Sequence, residues 1–147
     1  MTAVGYYAIA VLSAVVPWVN AEVVMISAVP FAPSRSALAA LVLVVSAGQM
    51  TGKALMYWAA RKSTLAHSPR MQPAIDRWRV RLQQRPRSAL AVTFWSALVG
   101  IPPFLVVSMA AGTLRVAFGR FMAVGTAGRV LHFAIVAFVP ELLRRTL

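Results

Sequence analysis

The sequence predicts an all-α membrane protein: an inverted repeat of two re-entrant helical hairpins, each followed by a transmembrane helix, with a short basic interfacial helix between the repeats. The first observation is composition, because 60% of the 147 residues are hydrophobic, 12% are charged and the mean hydropathy is +0.74. A soluble domain carries about 25% charged residues. This chain has too little polar surface to cover a globule, so we expect residues 1–147 to form a single integral membrane domain.

The second observation is the length of the apolar stretches, which cover residues 3–19, 22–33, 36–60, 88–114 and 121–140. A bilayer core of about 30 Å is crossed by about 20 helical residues. We therefore predict that residues 36–60 and 121–140 are spanning helices. The first two stretches are each too short to span.

The third observation is a pair of interruptions in the remaining apolar sequence. The first runs from Pro17 to Asn20, and the second runs from Gly100 to Pro103. A glycine after a helix end with a proline beyond it is a helix-stop pattern, and Pro103 also suits the first turn of a new helix. We assign these residues to the hairpin breaks: Pro17, Gly100, Pro102, Pro103 and Gly112.

The interruptions indicate a repeat, with one copy over residues 3–60 and the other over residues 88–141. Pro17 and Pro102 are 85 residues apart, and so are the starts of two apolar stretches at residues 36 and 121. Broken hydrophobic segments at corresponding places in two halves point to an inverted-repeat transporter with its site at the breaks. Two proline-kinked spanning helices are the alternative.

The segment 61–87 between the repeats carries eight basic residues and one acidic residue, Asp76. The positive-inside rule places it in the cytoplasm. Apolar residues at helical spacing predict a short interfacial helix on anionic headgroups: Met71, Ile75, Trp78 and Leu82. Its lipid-surface residues would be Arg77, Arg81 and Arg85. A solvated basic loop that only fixes the topology is the alternative.

Glu22 is the foremost candidate for function, because an ionisable residue at membrane depth is unfavourable unless it is paired or hydrated. It follows the Pro17 break, and Asn20 is placed to cap the next half-helix. The helix dipole favours a carboxylate there, where it could carry a proton or meet a cation. Alternatively, Glu22 simply completes a helix start at the interface.

Arg129 lies near the centre of residues 121–140, at a depth where it needs an anionic partner or water. His132 follows at i+3 on the same helix face. We expect Arg129 and Glu22 to act together, with Glu22 titrating and Arg129 receiving a phosphate. Lys53 lies close enough to the basic segment for its ammonium group to snorkel into the polar region, which we favour over a catalytic role.

Small residues predict two places of close helix packing. Gly48 and Gly52 form a GxxxG motif, across which Gln49 and Thr51 could form hydrogen bonds. Ala111 and Gly112 would let the second interrupted segment pack tightly. We place Gln49 in the candidate site with Asn20, Glu22, Lys53, Arg129 and His132.

Several function classes are excluded or disfavoured by residues that the sequence lacks. The absence of cysteine excludes disulfides, thiolate metal sites and cysteine nucleophiles. The sequence has no HExxH, no GxSxG, no P-loop and no aspartate cluster, so we expect neither an enzyme nor a metal or other cofactor. The formal net charge is +12, and the basic residues that cause it lie mainly between and beside hydrophobic stretches. This placement favours anionic lipid over nucleic acid as a partner.

Three groups of residues together carry a family resemblance: Pro17 to Glu22; Gly48 to Tyr57 with Arg61; and Gly100 to Pro103 with Ala111-Gly112, Phe118 to Phe121 and Gly128-Arg129. On these motifs, residues 10–140 resemble the DedA, or VTT-domain (SNARE-associated Golgi protein), membrane superfamily, in particular its small single-domain bacterial members. Larger members carry arginines beside the second hairpin's proline, where this chain has apolar residues such as Val99 and Phe104.

The resemblance implies two inverted re-entrant hairpins in a multi-pass protein of the bacterial inner membrane. It also implies a flippase or scramblase that moves a phospholipid or a polyprenyl-phosphate carrier between leaflets, with protons as candidate coupling ions. A homo-oligomer is compatible with the sequence. Two other functions remain open: a proton-coupled exporter of small cationic drugs that uses Glu22, and a non-transporting membrane assembly factor whose basic segment binds lipid or a partner.

Overall fold

A computed structural model describes residues 2–16, 19–63, 69 and 72–146 of the chain. All regular secondary structure within these residues is helical, which confirms the predicted all-α class. The α-helices found there are α1 (Ala3–Val15), α2 (Ala21–Ala28), α3 (Arg35–Lys62), α4 (Gln72–Gln84), α5 (Pro86–Val99), α6 (Phe104–Thr113) and α7 (Phe118–Thr146). A 3-10 turn, Val29–Phe31, extends α2.

Among the described residues, two helices are long and apolar enough to cross a membrane. They are Arg35–Lys62, with 28 residues, and Phe118–Pro140, with 23 residues. At a rise of about 1.5 Å per residue both exceed a hydrocarbon core of about 30 Å. The two long helices predicted at 36–60 and 121–140 are confirmed.

The helices end at both predicted interruptions. α1 ends at Val15 and α2 begins at Ala21, with Val16, Val19 and Asn20 outside either helix. Pro17, assigned to this break, lies outside the described residues, as does Trp18.

The second interruption is a turn between α5 and α6. Gly100 caps α5 with φ of 83° and donates its N–H to the Ser96 carbonyl. This left-handed conformation favours glycine, which has no Cβ to clash with the backbone. The Ser96 hydroxyl donates to the Pro102 carbonyl at 2.5 Å, and Pro103 is the N-cap of α6. The helix stop predicted at Gly100 and the restart predicted at Pro103 are confirmed.

The helix order repeats along the chain as a helix, a short helix and a long helix. α2 begins at Ala21 and α6 at Phe104, 83 residues later, and α3 begins at Arg35 and α7 at Phe118, also 83 residues later. This spacing is two residues smaller than the 85 read from the prolines and the apolar boundaries. The equal spacing concerns the positions at which these helices begin, and the predicted repeat stays a prediction.

The chain divides into two compact units. The first unit contains the residues up to Gly52 together with those from Arg129 onward, and the second unit contains Lys53–Gly128. The first unit thus holds α1, α2, the beginning of α3 and the end of α7. The second holds the end of α3, α4, α5, α6 and the beginning of α7. These boundaries fall inside the long helices and differ from the repeat boundaries at 3–60 and 88–141.

The first unit packs through small residues of α3 against α1. A Cβ added to Gly48 would lie 2.6 Å from the Tyr7 carbonyl oxygen, and one added to Gly52 would lie 2.8 Å from the Val11 carbonyl oxygen. Close packing at the GxxxG motif is confirmed. Hydrogen bonds flank it, from Gln49 Nε2 to Ser13 Oγ at 2.5 Å and between the Tyr7 and Thr51 hydroxyls at 2.7 Å. The buried core is formed by Ala10, Ala21, Met25, Leu38, Val42, Val45, Phe133 and Ala137.

The second unit is organised around Tyr57 of α3, which is fully buried. Its ring stacks on Phe121 of α7 at 5.3 Å between centroids. Its hydroxyl donates to the Val116 carbonyl and accepts a bond from Arg61 Nη1 at 2.8 Å. Gly112 of α6 lies directly against the Tyr57 backbone, so the close packing predicted there is confirmed.

Candidate functional site

The start of α2 is fixed by its N-cap residue. Asn20 has an extended backbone, and its Oδ1 accepts a hydrogen bond from the Glu22 N–H at 2.8 Å. This bond satisfies one of the backbone donors that the first helical turn leaves open. The predicted cap is confirmed, and it places Glu22 in the first turn of the half-helix.

Glu22 lies beside His132 of α7, 110 residues later in the chain. Glu22 Oε1 is 3.0 Å from His132 Nε2. The Glu22 side chain is 47% exposed and the His132 side chain 15%. The contact is a hydrogen bond when neutral His132 carries its proton on Nε2 and an ion pair when the imidazole is protonated.

Arg129 belongs to the same cluster. It precedes His132 by three residues on α7, close enough to Glu22 for the two charges to attract each other. Its guanidinium also lies 5.8 Å from the centroid of the Phe133 ring. The first unit therefore brings Glu22, Arg129 and His132 together, and we call these three residues the Glu22 cluster.

Two other residues expected in the site have different surroundings. Gln49 belongs to the first unit, is 4% exposed, and bonds to Ser13 of α1, so its amide ties α3 to α1. Lys53 belongs to the second unit and is 5% exposed, with Nζ 5.9 Å from the centroid of the Phe104 ring. The snorkelling predicted for Lys53 is wrong, because protein encloses the side chain and an aromatic face lies beside its charge.

The residues assigned to the breaks have two roles. Gly100, Pro102 and Pro103 form the turn between α5 and α6. Gly112 is not part of a break: it lies inside α6, next to its last residue, where the absence of a side chain allows contact with Tyr57. The assignment of Gly112 to a break is therefore corrected to a packing position.

The basic segment contains the predicted short helix, α4, over Gln72–Gln84. Arg77 and Arg81 of α4 and Arg85, the residue before α5, are exposed, and Arg77 Nε donates to the Pro73 carbonyl at 3.1 Å. Met71 lies outside the described residues, and the side chains of Ile75, Trp78 and Leu82 are likewise not described. Binding of this helix to lipid stays a prediction.

Sequence reasoning missed part of this arrangement. It paired Glu22 with Arg129 but gave His132 no partner, although His132 provides the shortest described contact of the carboxylate. It also overlooked Ser13, the partner of Gln49. The sequence does show that each of these polar residues lies on an otherwise apolar helix and therefore needs a hydrogen-bonding partner. It does not show which residue that partner is.

The Glu22 cluster is suited to binding charge. It contains one carboxylate, one guanidinium and one imidazole, and no group of three metal-ligating side chains occurs among the described residues. Arginine binds carboxylates and phosphates through paired hydrogen bonds. The cluster can thus hold an anionic group or exchange one anion for another.

Comparisons with models of known protein families, with curated proteins and with solved structures find no match to this chain. The resemblance to the DedA superfamily therefore rests on the sequence motifs alone.

Proposed function

We propose that this chain is a multi-pass protein of a bacterial inner membrane, of the DedA or VTT-domain type, that moves an anionic lipid between the two leaflets without changing it chemically. The observation that carries the proposal is the Glu22 cluster at the start of a half-helix in an apolar chain. Two helices long enough to cross a bilayer provide the setting.

The cluster offers a site that a phosphate headgroup can enter. The Glu22 carboxylate attracts the Arg129 guanidinium and contacts His132. A lipid phosphate competes with the carboxylate for these groups, and protonation of Glu22 releases Arg129 to the phosphate. With Glu22 at −1 and Arg129 at +1 the charges cancel, and protonation of Glu22 or His132 gives the site a net positive charge.

The composition of the two units supports an inverted repeat with re-entrant hairpins. Each unit contains one broken hairpin, the beginning of one long helix and the end of the other. Hairpins of this kind keep a polar site at depth while the lipid tails stay in hydrocarbon.

A leaflet-exchange assay tests the function. The purified protein is reconstituted in liposomes that contain acyl-chain-labelled phosphatidylglycerol or phosphatidylcholine, and a membrane-impermeant reductant bleaches the outer leaflet. We expect the protein to accelerate movement of phosphatidylglycerol well beyond that of phosphatidylcholine, because only the former has a net negative headgroup. Movement of neither lipid would contradict the proposal. Competition at the site by a cationic dye instead of anionic lipid would favour the drug exporter.

Cysteine labelling tests the re-entrant topology. The chain has no cysteine, so single cysteines introduced at Gly5, Pro33 and Ser88 can be labelled without background. We expect positions 5 and 33 to react from the periplasmic face, because the first hairpin returns to the side on which it entered. Ser88 adjoins the basic segment and should react from the cytoplasmic face. Labelling of positions 5 and 33 from opposite faces would replace the hairpin with a kinked spanning segment.

A further inference from the structure

An apolar groove of about 220 Å³ lies between α5 and α6 in the second unit. Its apolar lining includes Val92 of α5, Val106, Val107 and Ala110 of α6, and Leu114 and Val116 after α6. Thr93 contributes the one polar side chain of the lining, and its hydroxyl is already bonded to the Ala89 carbonyl at 2.8 Å. The groove therefore offers hydrocarbon surface and no open polar group from its lining side chains.

The groove is about as long as one leaflet is deep. It reaches from Pro102 in the turn to Ala89 on one helix and Leu114 beyond the other. Ala89 precedes the end of α5 by ten residues, and Leu114 follows the start of α6 by ten. Ten helical residues rise about 15 Å, which is half of a hydrocarbon core of about 30 Å.

Basic residues mark the end of the groove away from the turn. Arg61 Nη1 donates at 2.8 Å to the Tyr57 hydroxyl, which in turn donates to the carbonyl of Val116, a lining residue. Arg115 is exposed between two lining residues, Leu114 and Val116. Arg87 is exposed in the first turn of α5, two residues before Ala89.

Arg115 occupies a position that normally favours glycine. The end of α6 is a Schellman motif, in which the Val116 N–H bonds to the Ala111 carbonyl at 2.9 Å and the Arg115 N–H bonds to the Gly112 carbonyl at 3.1 Å. Arg115 has φ of 56° in this motif. A left-handed conformation costs a residue with a Cβ about 1–2 kcal/mol, so Arg115 is held here at a cost in backbone free energy.

We propose that the α5–α6 groove binds one anionic phospholipid of the surrounding bilayer, with an acyl chain along the groove and the phosphate at Arg61, Arg87 and Arg115. The apolar lining matches the chain, and the cationic end matches the headgroup. The site shares no residue with the Glu22 cluster and depends only on a membrane setting. If the groove binds no phospholipid, the lipid-transport proposal is unaffected. If the protein moves no lipid between leaflets, the proposal for the groove is unaffected.

Native mass spectrometry of the full chain in detergent tests the headgroup contacts. We expect phosphatidylglycerol to bind more tightly than phosphatidylcholine. Arg115→Gln or Arg87→Gln should weaken phosphatidylglycerol binding about fivefold each, with a smaller effect on phosphatidylcholine, whose choline cation opposes the attraction of its phosphate to the arginines. Arg35→Gln at the start of α3 is the matched control, because it removes the same charge from an exposed arginine of the first unit, outside the groove and outside the basic segment. An equal loss in Arg35→Gln would show diffuse attraction and overturn the proposal.

A second pair of variants tests the acyl-chain contact. Ala110→Leu fills the groove and should weaken binding of both phospholipids. Ala91→Leu, on an exposed position of α5 outside the lining, should change neither. Unchanged binding in Ala110→Leu, or competition by inorganic phosphate as strong as that by phosphatidylglycerol, would mean that the groove holds no chain. Circular dichroism of each variant verifies that the helices are retained.

Discussion

Glu22→Gln and Arg129→Gln are each expected to reduce lipid movement by about 10- to 100-fold. In the proposed mechanism, Glu22→Gln leaves no carboxylate to displace the lipid phosphate, and Arg129→Gln leaves no guanidinium to bind it. The double variant should be no slower than either single variant. The two residues are held in one cluster with His132, and residues that act as a unit do not have additive effects. The measurement is the leaflet-exchange assay with phosphatidylglycerol.

Folding must be separated from transport in this experiment. Removing one member of a charge pair leaves the other without its counter-charge, which can destabilise the protein by several kcal/mol. Thermal unfolding in detergent should therefore accompany each assay. Asn20→Ala is a useful control: it removes the cap of α2, at a loss of about 1 kcal/mol, and leaves all three charged or titratable groups in place.

The capping interpretation of Glu22 makes the opposite prediction. If Glu22 only completes the helix start, Asn20→Ala should impair the protein at least as much as Glu22→Gln does. A well-folded Glu22→Gln variant that transports normally across pH would show that the mechanism proposed for Glu22 is wrong.

Gly112→Ala is expected to have the largest effect on stability. The added Cβ would overlap the Tyr57 carbonyl oxygen and lie 2.9 Å from the carbonyl carbon, and both are backbone atoms that no rotamer change can move aside. Separation of α6 from α3 would also weaken the bond between the Tyr57 hydroxyl and Val116. Overpacking typically costs about 1–3 kcal/mol, which exceeds the gain of up to about 1 kcal/mol in helix propensity. We expect Tm in detergent to fall by about 5 °C or more.

Gly119→Ala provides the matched control for this substitution. Gly119 lies in α7, and a Cβ built there meets no atom within 4 Å. Its Tm should stay the same or rise, because alanine favours the helix and nothing obstructs the methyl group. Equal losses at both positions would indicate that the effect does not come from the contact with Tyr57.

The helical segments could be predicted from sequence because each depends on nearby residues. The lengths of α3 and α7 follow from uninterrupted apolar stretches, and the end of α5 follows from Gly100 with the prolines after it. The cap at Asn20 is equally local, since its bond reaches only two residues ahead. Composition determined the membrane setting that we expect, because so few charged residues cannot cover a soluble domain.

Only the tertiary structure decided which polar residues are partners. Glu22 and His132 are 110 residues apart, and no local pattern encodes a contact between helices at that separation. The surroundings of Lys53 were also not predictable: its distance from the helix end favoured snorkelling, but the structure places its ammonium group beside Phe104. Likewise, the glycine at position 112 is required by contact with the Tyr57 backbone and not by a helix break. The sequence identifies a polar or charged residue that is unfavourable in hydrocarbon. The side chain that pairs with this residue depends on how helices distant in sequence pack together.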